Sequence, residues 1–166
     1  MRHELLILRH AKSSWDSSAL TDFDRPLSSR GTRDATRLGK WLAAQSLLPD
    51  LALCSAAERA RQTAILALSP MEDTRMDYRE SLYLAGLATL VNSIREQADS
   101  FDQLMLVGHN PGMDQLLIYL CRDEITLTGS GKLMTTATLA RIECRCSWSD
   151  LAPEHCSLLQ LQRPKR

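Results

Sequence analysis

Short apolar runs alternate with helical stripes along this chain. Leu5 to Leu8 is an unbroken apolar run that reads as a buried strand and stops abruptly at Arg9 and His10. Ser28 or Ser29 offers a cap, and beyond it Ala35, Leu38, Trp41 and Leu42 recur at helical spacing, which predicts a helix to about Gln45. Pro49-Asp50 marks a turn. Leu51 to Cys54 is a second short strand, ending at Ser55. Ser55 and Glu58 fit the S-x-x-E capping box, which predicts a helix running to about Leu68. Pro70 to Asp73 breaks the chain, and Thr74 to Tyr78 fits a short strand. Leu87, Leu90, Val91 and Ile94 form a third helical stripe. Leu104 to Val107 is another strand, followed by Gly108-His109-Asn110-Pro111. Pro111 suits the first turn of a helix whose inner face holds Met113, Leu116, Leu117 and Leu120.

The pattern changes after Gly131. Thr135 to Cys144 and Ser157 to Leu161 read as strands joined by a loop around Trp148 to Glu154. Strands that alternate with helices predict an α/β fold, a mostly parallel sheet with helices on both faces, and the last pair adds an antiparallel edge. Trp15 to Pro26 has no period and is rich in Ser and Asp, and its length marks it as a functional loop.

Composition narrows the function. A chain of 166 residues fits one domain spanning 1–166 with an ordinary core. Lys+Arg and Asp+Glu balance at 20 each, which argues against nucleic acid or an anionic membrane as the main partner. No apolar run approaches the roughly 18 residues of a membrane span, and the segment before Arg9 is too short for a signal-peptide core. The expected location is the cytoplasm. The five cysteines, an odd number widely spread, fit reduced core thiols better than a disulfide framework.

Three strand ends carry the chemistry. Arg9-His10 follows the first strand, Ser55 to Arg59 the second, and His109 the Leu104–Val107 strand. In an open α/β sheet, ligands sit at the carboxyl ends of the strands, so distant segments can meet at one site. Arginine presents a planar fork of donors that matches phosphate oxygens. The helix N-termini after Ser55 and Pro111 favour an anion. A neutral histidine can attack phosphorus, and a second one, charged and opposite, can stabilise the oxygens in transit.

With these residues in order, Arg9-His10, the S-x-x-x-R-A-x-Q-T of Ser55–Thr63 and Gly108-His109-Asn110-Pro111, the chain resembles the histidine phosphatase superfamily. The segment D-R-P-L-S-x-R-G at Asp24–Gly31, Thr128-Gly129, Trp148 and the Leu-x-x-Pro of Leu161–Pro164 are similar to its small SixA-type branch. The resemblance implies a three-layer, phosphoglycerate mutase-like sandwich and a protein phosphohistidine phosphatase. His10 would be the nucleophile. Arg9, Arg59 and His109 would hold the phosphoryl group, with Arg25 reaching the pocket from the side. The substrate would be a phosphorylated protein, such as a histidine phosphotransfer domain. No metal or organic cofactor is implied, since guanidinium and imidazole supply the positive charge.

Two departures stand out. Ala11 replaces the usual glycine after Arg-His, which the turn tolerates if φ is negative. The inserted region that carries an acid in larger members has no room here, and Glu80 is the nearest candidate proton donor. Glu80 also reads as a surface carboxylate, and Arg25 equally as a salt-bridge partner of Asp22 or Asp24. Lys12, Ser13 and Ser14 read as phosphate donors or as a plain polar loop; His3 and His155 read as surface.

A weak acid would favour phosphoramidate over alkyl phosphate substrates. A general small-molecule phosphomonoesterase and a non-catalytic phosphate- or phosphopeptide-binding module are the alternatives. Gly129-Ser130-Gly131-Lys132 fails as a P-loop, because Thr126 and Leu133 occupy required Gly and Ser/Thr positions. Cys144-x-Cys146 lacks zinc spacing.

Overall fold

A computed structural model of the chain describes residues 1–19, 21–125 and 131–165. The Thr128-Gly129 pair and the first half of the rejected P-loop, Gly129-Ser130, lie outside them. The main elements are β1 (His3–Arg9), α1 (Ser29–Ala44), β2 (Leu51–Ser55), α2 (Glu58–Leu68), β3 (Arg75–Arg79), α3 (Leu87–Arg95), β4 (Gln103–Gly108), α4 (Gly112–Cys121), β5 (Leu139–Cys144) and β6 (Cys156–Gln162). Short 3-10 turns occur at Glu80–Leu82, Arg122–Glu124, Trp148–Asp150 and Pro153–His155. The sheet has the order β3-β2-β4-β1-β5-β6. Strands β3, β2, β4 and β1 are parallel, and β5 and β6 run antiparallel at one edge. This is the expected α/β architecture.

The apolar run of β1 splits by parity, because successive side chains of a strand point to opposite faces. Leu5 and Ile7 join Leu90, Ile94, Leu116 and Leu117 of α3 and α4 in one core. Leu6 and Leu8 join Leu38, Leu42, Ala60 and Ala64 of α1 and α2 in the other. A strand buried on both faces reads as a continuous apolar run. All four residues are fully buried.

Several elements differ locally from the sequence reading. Strand β5 starts at Leu139 rather than Thr135, because Ala137 takes φ 59° and turns the chain there. The Ser55–Glu58 capping box does not form. Ala57 is the N-cap of α2 without a side-chain cap, Ser55 Oγ accepts from Ala57 N–H, and Glu58 accepts from Gln62. Pro111 sits one position earlier than expected, as the N-cap of α4. His3 is not a surface residue. It is 2% exposed, stacks on Trp148 at 4.5 Å and pairs with Asp99. Its position in β1, facing the Trp148 turn, explains the burial. His155 is exposed, as read. The cysteines are free, and Cys144 faces Cys156 across β5 and β6 at 3.8 Å between sulfurs.

The start of α1 is locked onto the chain that follows the first strand. Ser28 caps the helix by accepting from Gly31 N–H, and Ser28 N and Oγ both donate to Lys12 O. A Cβ at Gly31 would lie 2.1 Å from Lys12 O, inside van der Waals contact with backbone that cannot move freely. Gly31→Ala is therefore expected to cost about 2–3 kcal/mol of stability through overpacking. Urea unfolding monitored by circular dichroism checks this; an unchanged midpoint would contradict it.

Candidate active site

Strand β4 inserts between β1 and β2, and this brings three strand ends together. Arg9 is in register with Gly108, and Cys54 with Val107. The residues that follow each end, His10, His109 and Ser55, therefore converge. The rings of His10 and His109 lie 5.1 Å apart between centroids, at 54°.

His10 is 8% exposed. Its N–H donates to Gly108 O, and its carbonyl accepts from Ala137 N–H. Ring atom Nδ1 lies 2.7 Å from Ala11 O. A carbonyl only accepts, so Nδ1 carries the proton and Nε2 is left with an in-plane lone pair. Ala11 is fully buried, is not among the positive-φ residues and donates its N–H to Thr63 Oγ1. Thr63 in turn donates to Arg59 O, which ties the nucleophile's turn to α2. Alanine therefore serves at this turn as expected.

His109 Nε2 lies 2.7 Å from Ser55 Oγ. Ser55 accepts from Ala57 N–H, so its own hydroxyl is available to donate to Nε2. That places the proton of neutral His109 on Nδ1, a buried atom with no partner among the described residues. Arg9 Nε and Arg59 Nε are likewise buried and unpaired. Three orphaned donors beside one nucleophilic nitrogen are what an anion would satisfy, since buried donors are rarely left unpaired.

Three of the four outer nitrogens of Arg9 and Arg59 are already held. Arg9 Nη1 donates to Met134 O. Arg59, 3% exposed, donates from Nη1 to Asp22 O and from Nη2 to Asp22 Oδ2 at 3.0 Å. Tyr83 also donates its hydroxyl to Asp22, and its ring meets His109 edge-on at 5.4 Å. Arg25 forms the Asp22 salt bridge at 3.0 Å, donates to Ser13 Oγ and Ser14 O, and stacks on Trp15. Arg25 thus borders the site through Asp22 and lies within range to depress the pKa of His10. Glu80 is exposed and its carboxylate has no hydrogen-bond or ion-pair partner among the described residues, which leaves it outside this network.

Two expectations change here. The N-terminal donors of α2 and α4 are partly taken: Glu58 N–H donates to Phe23 O, and Asp114 N–H to Asn110 Oδ1. His109 is also not charged at neutral pH. Burial lowers it to about 3, reinforced by His10 and Arg59. Burial likewise lowers His10 to about 4, against the opposing pull of the Ala11 carbonyl and with help from Arg59, Arg9 and Arg25. Asp22 is held at about 2, chiefly by the Tyr83 hydroxyl and by Arg59 and Arg25, so it is ionised at neutral pH.

These shifts have a definite sign. The ordinary imidazole value is 6.5. As pH falls from there toward about 4, the unfolded chain takes up protons that the folded site refuses, so stability is lost across that window. An anion in the site favours the imidazolium and raises both values. The His10 ring proton followed by NMR is expected to titrate near pH 4 in the free protein, and higher with phosphate added. A midpoint near the ordinary 6.5 would contradict the buried, arginine-flanked setting.

Asp22 and Tyr83 are the members the sequence reading missed. The sequence offered Asp22 only as a salt-bridge partner of Arg25, and nothing in the spacing of Tyr83 connects it to the first strand. Ser55 was legible, but as a cap rather than as the partner of His109.

Comparison with known proteins shows what the chain as a whole is similar to. Residues 5–83 match the family model described as Histidine phosphatase superfamily (branch 1). An uncharacterized protein of Mycobacterium tuberculosis (strain ATCC 25618 / H37Rv) is 34% identical over 162 residues, covering 95% of this chain and 100% of that protein. A solved structure from Agrobacterium tumefaciens, provisionally identified as phosphohistidine phosphatase SixA, is 28% identical with a TM-score of 0.84 and covers 98% of each chain. One from Nakamurella multipartitia, given the same provisional identity, is 29% identical with a TM-score of 0.83, covering 99% of this chain and 97% of that one. Among the described residues, no helix is long and apolar enough to cross a membrane.

Proposed function

The chain belongs to the histidine phosphatase superfamily, and from that premise we propose that it hydrolyses phosphohistidine on a protein through a covalent intermediate on His10. His10 Nε2 attacks phosphorus, forming a new N–P bond as the substrate's N–P bond breaks. The substrate ring, already protonated on its other nitrogen as the imidazolium form of phosphohistidine, keeps the N–P electron pair and leaves as neutral imidazole. Water then attacks phospho-His10, the P–O bond forms, and inorganic phosphate leaves with His10 restored. Arg9, Arg59 and His109 hold the oxygens, with their unpaired donors turned to the charge that spreads in transit.

The observation that carries the substrate class is the lack, among the described residues, of a protonated carboxylate in the network. Asp22 is ionised, and Glu80 is outside it. An alkoxide leaving group needs a general acid, worth about 10²–10⁴ in rate. Imidazole, with a pKa near 6.5, does not. A phosphohistidine protein is therefore expected to be turned over with kcat/KM on the order of 10² or more above that of an alkyl phosphate such as glycerol phosphate. Phosphate release from both, measured side by side, tests this. A faster rate on the alkyl phosphate that falls with Glu80→Gln would overturn it and favour a general small-molecule phosphatase. Phosphate binding with no turnover of either would favour a binding module.

The same reading suggests a cytoplasmic enzyme of one domain over 1–166, with no nucleic acid or membrane partner, consistent with its balanced charge. Its partner would be a phosphorylated signalling protein.

A further inference from the structure

A groove of about 570 Å³ borders Arg9 but neither histidine, and is lined among others by Lys12, Arg30, Ile118, Lys132 and Thr136. Its charge is one-sided. Arg9, Lys12, Arg30 and Lys132 line it against one carboxylate, Asp114, whose Oδ1 is committed to Met134 N–H. The Lys12 ammonium is exposed and has no partner among the described residues. Arg30 is held only at 3.6 Å from Asp34. The Thr136 hydroxyl also has no partner among them. Ile118, on the wall contributed by α4, is 40% exposed and gives the groove an apolar contact.

We infer that this groove receives an acidic segment of the substrate protein beside its phosphorylated residue, with Lys12 and Arg30 as specificity-determining residues. The inference rests on the phosphohistidine reading above for the position of the phosphoryl group. Arg9 joins the two regions, so a phosphoryl group held at its buried Nε sets the neighbouring substrate residues at the mouth of the groove. The groove exceeds what a second phosphoryl group would fill, and Ile118 offers contact to a carbon chain. Both features favour a protein segment over a small bisphosphate. Paired charges at this exposure act mainly on encounter and on KM, and salt screens them.

The test uses two phosphohistidine peptides of equal length, one with Asp and Glu flanking the phosphorylated residue and one with Asn and Gln. The wild-type enzyme is expected to favour the acidic peptide about fivefold to tenfold in kcat/KM, through KM, at low salt. Lys12→Gln with Arg30→Gln is expected to erase that preference while hydrolysis of p-nitrophenyl phosphate stays within about twofold, the size of a minor surface effect. Lys12→Glu alone should reverse it and serves as a second variant if the double one unfolds.

Equal rates on the two peptides would overturn the inference, and so would a double variant that loses the small ester equally. A glycerol bisphosphate that outcompetes both peptides, and loses that advantage in the double variant, would overturn it in favour of a small metabolite. If neither peptide is turned over while the small ester is, the phosphohistidine reading fails on its own. Competition against the ester then decides the groove: tighter inhibition by the acidic peptide, lost in the double variant, upholds it, and equal inhibition overturns it.

Discussion

His10→Ala is expected to lower phosphate release by on the order of 10⁴-fold or more on every substrate the protein accepts. The geometry makes this residue irreplaceable. Its Nδ1 proton is fixed by Ala11 O, so Nε2 is presented as a lone pair. Its burial holds the ring neutral down to about pH 4. No other described nucleophile is prepared in this way. His109 carries its proton on the atom that would have to attack, since Ser55 binds the other nitrogen. The variant should keep its fold, because the turn is held by backbone contacts to Gly108 and Ala137 that do not involve the ring. It should also keep its affinity for phosphate, because Arg9, Arg59 and His109 remain. Loss of turnover with retained product inhibition is the expected signature. A residual rate within tenfold of wild type would contradict it.

Arg59→Ala is expected to lower kcat by about 10²–10³, the cost of removing one preorganised donor from a site of developing negative charge. A second consequence is electrostatic. Asp22 loses one of its two guanidinium partners, keeping Arg25 at its other oxygen, and remains next to the phosphoryl site with its charge less fully offset, which repels the substrate. Phosphate affinity should therefore fall as well. Arg59→Lys should restore little, because one ammonium cannot both hold Asp22 through two nitrogens and leave a third toward the pocket. Asp22→Asn in the Arg59→Ala background separates the effects: affinity recovers in part and kcat does not. Steady-state kinetics with phosphate as inhibitor reads all of this. An Arg59→Ala enzyme within fivefold of wild type would show that Arg59 serves only Asp22.

The sequence made the first half of this site legible and the second half not, for a physical reason. His10, Arg59 and His109 each sit just past an apolar strand, and strand ends in an α/β sheet converge whatever the connecting loops do. The strand pattern therefore brings these segments together, and the motif resemblance singles out the residues within them. Asp22 and Tyr83 reach the site from an aperiodic loop and the end of a 3-10 turn, and their contacts, between residues 37 and 61 positions apart in sequence, leave no local pattern. Ser55 shows a related failure. Its spacing to Glu58 satisfies a local capping rule, yet the hydroxyl is taken by His109, a tertiary partner 54 residues away. His3 reads as surface because nothing local announces the Trp148 ring against which it is stacked. The charge of His109 is a product of burial among cations, which only the assembled site supplies.

The most direct test of the account is to trap the intermediate. The enzyme is mixed with a phosphohistidine protein, quenched in alkali, where phosphohistidine survives, and analysed by peptide mass spectrometry. The account predicts one added phosphoryl group on the peptide containing His10, absent in His10→Ala and more abundant when water attack is slowed. Turnover with no phosphoryl group on His10, or with one on His109 instead, would contradict it.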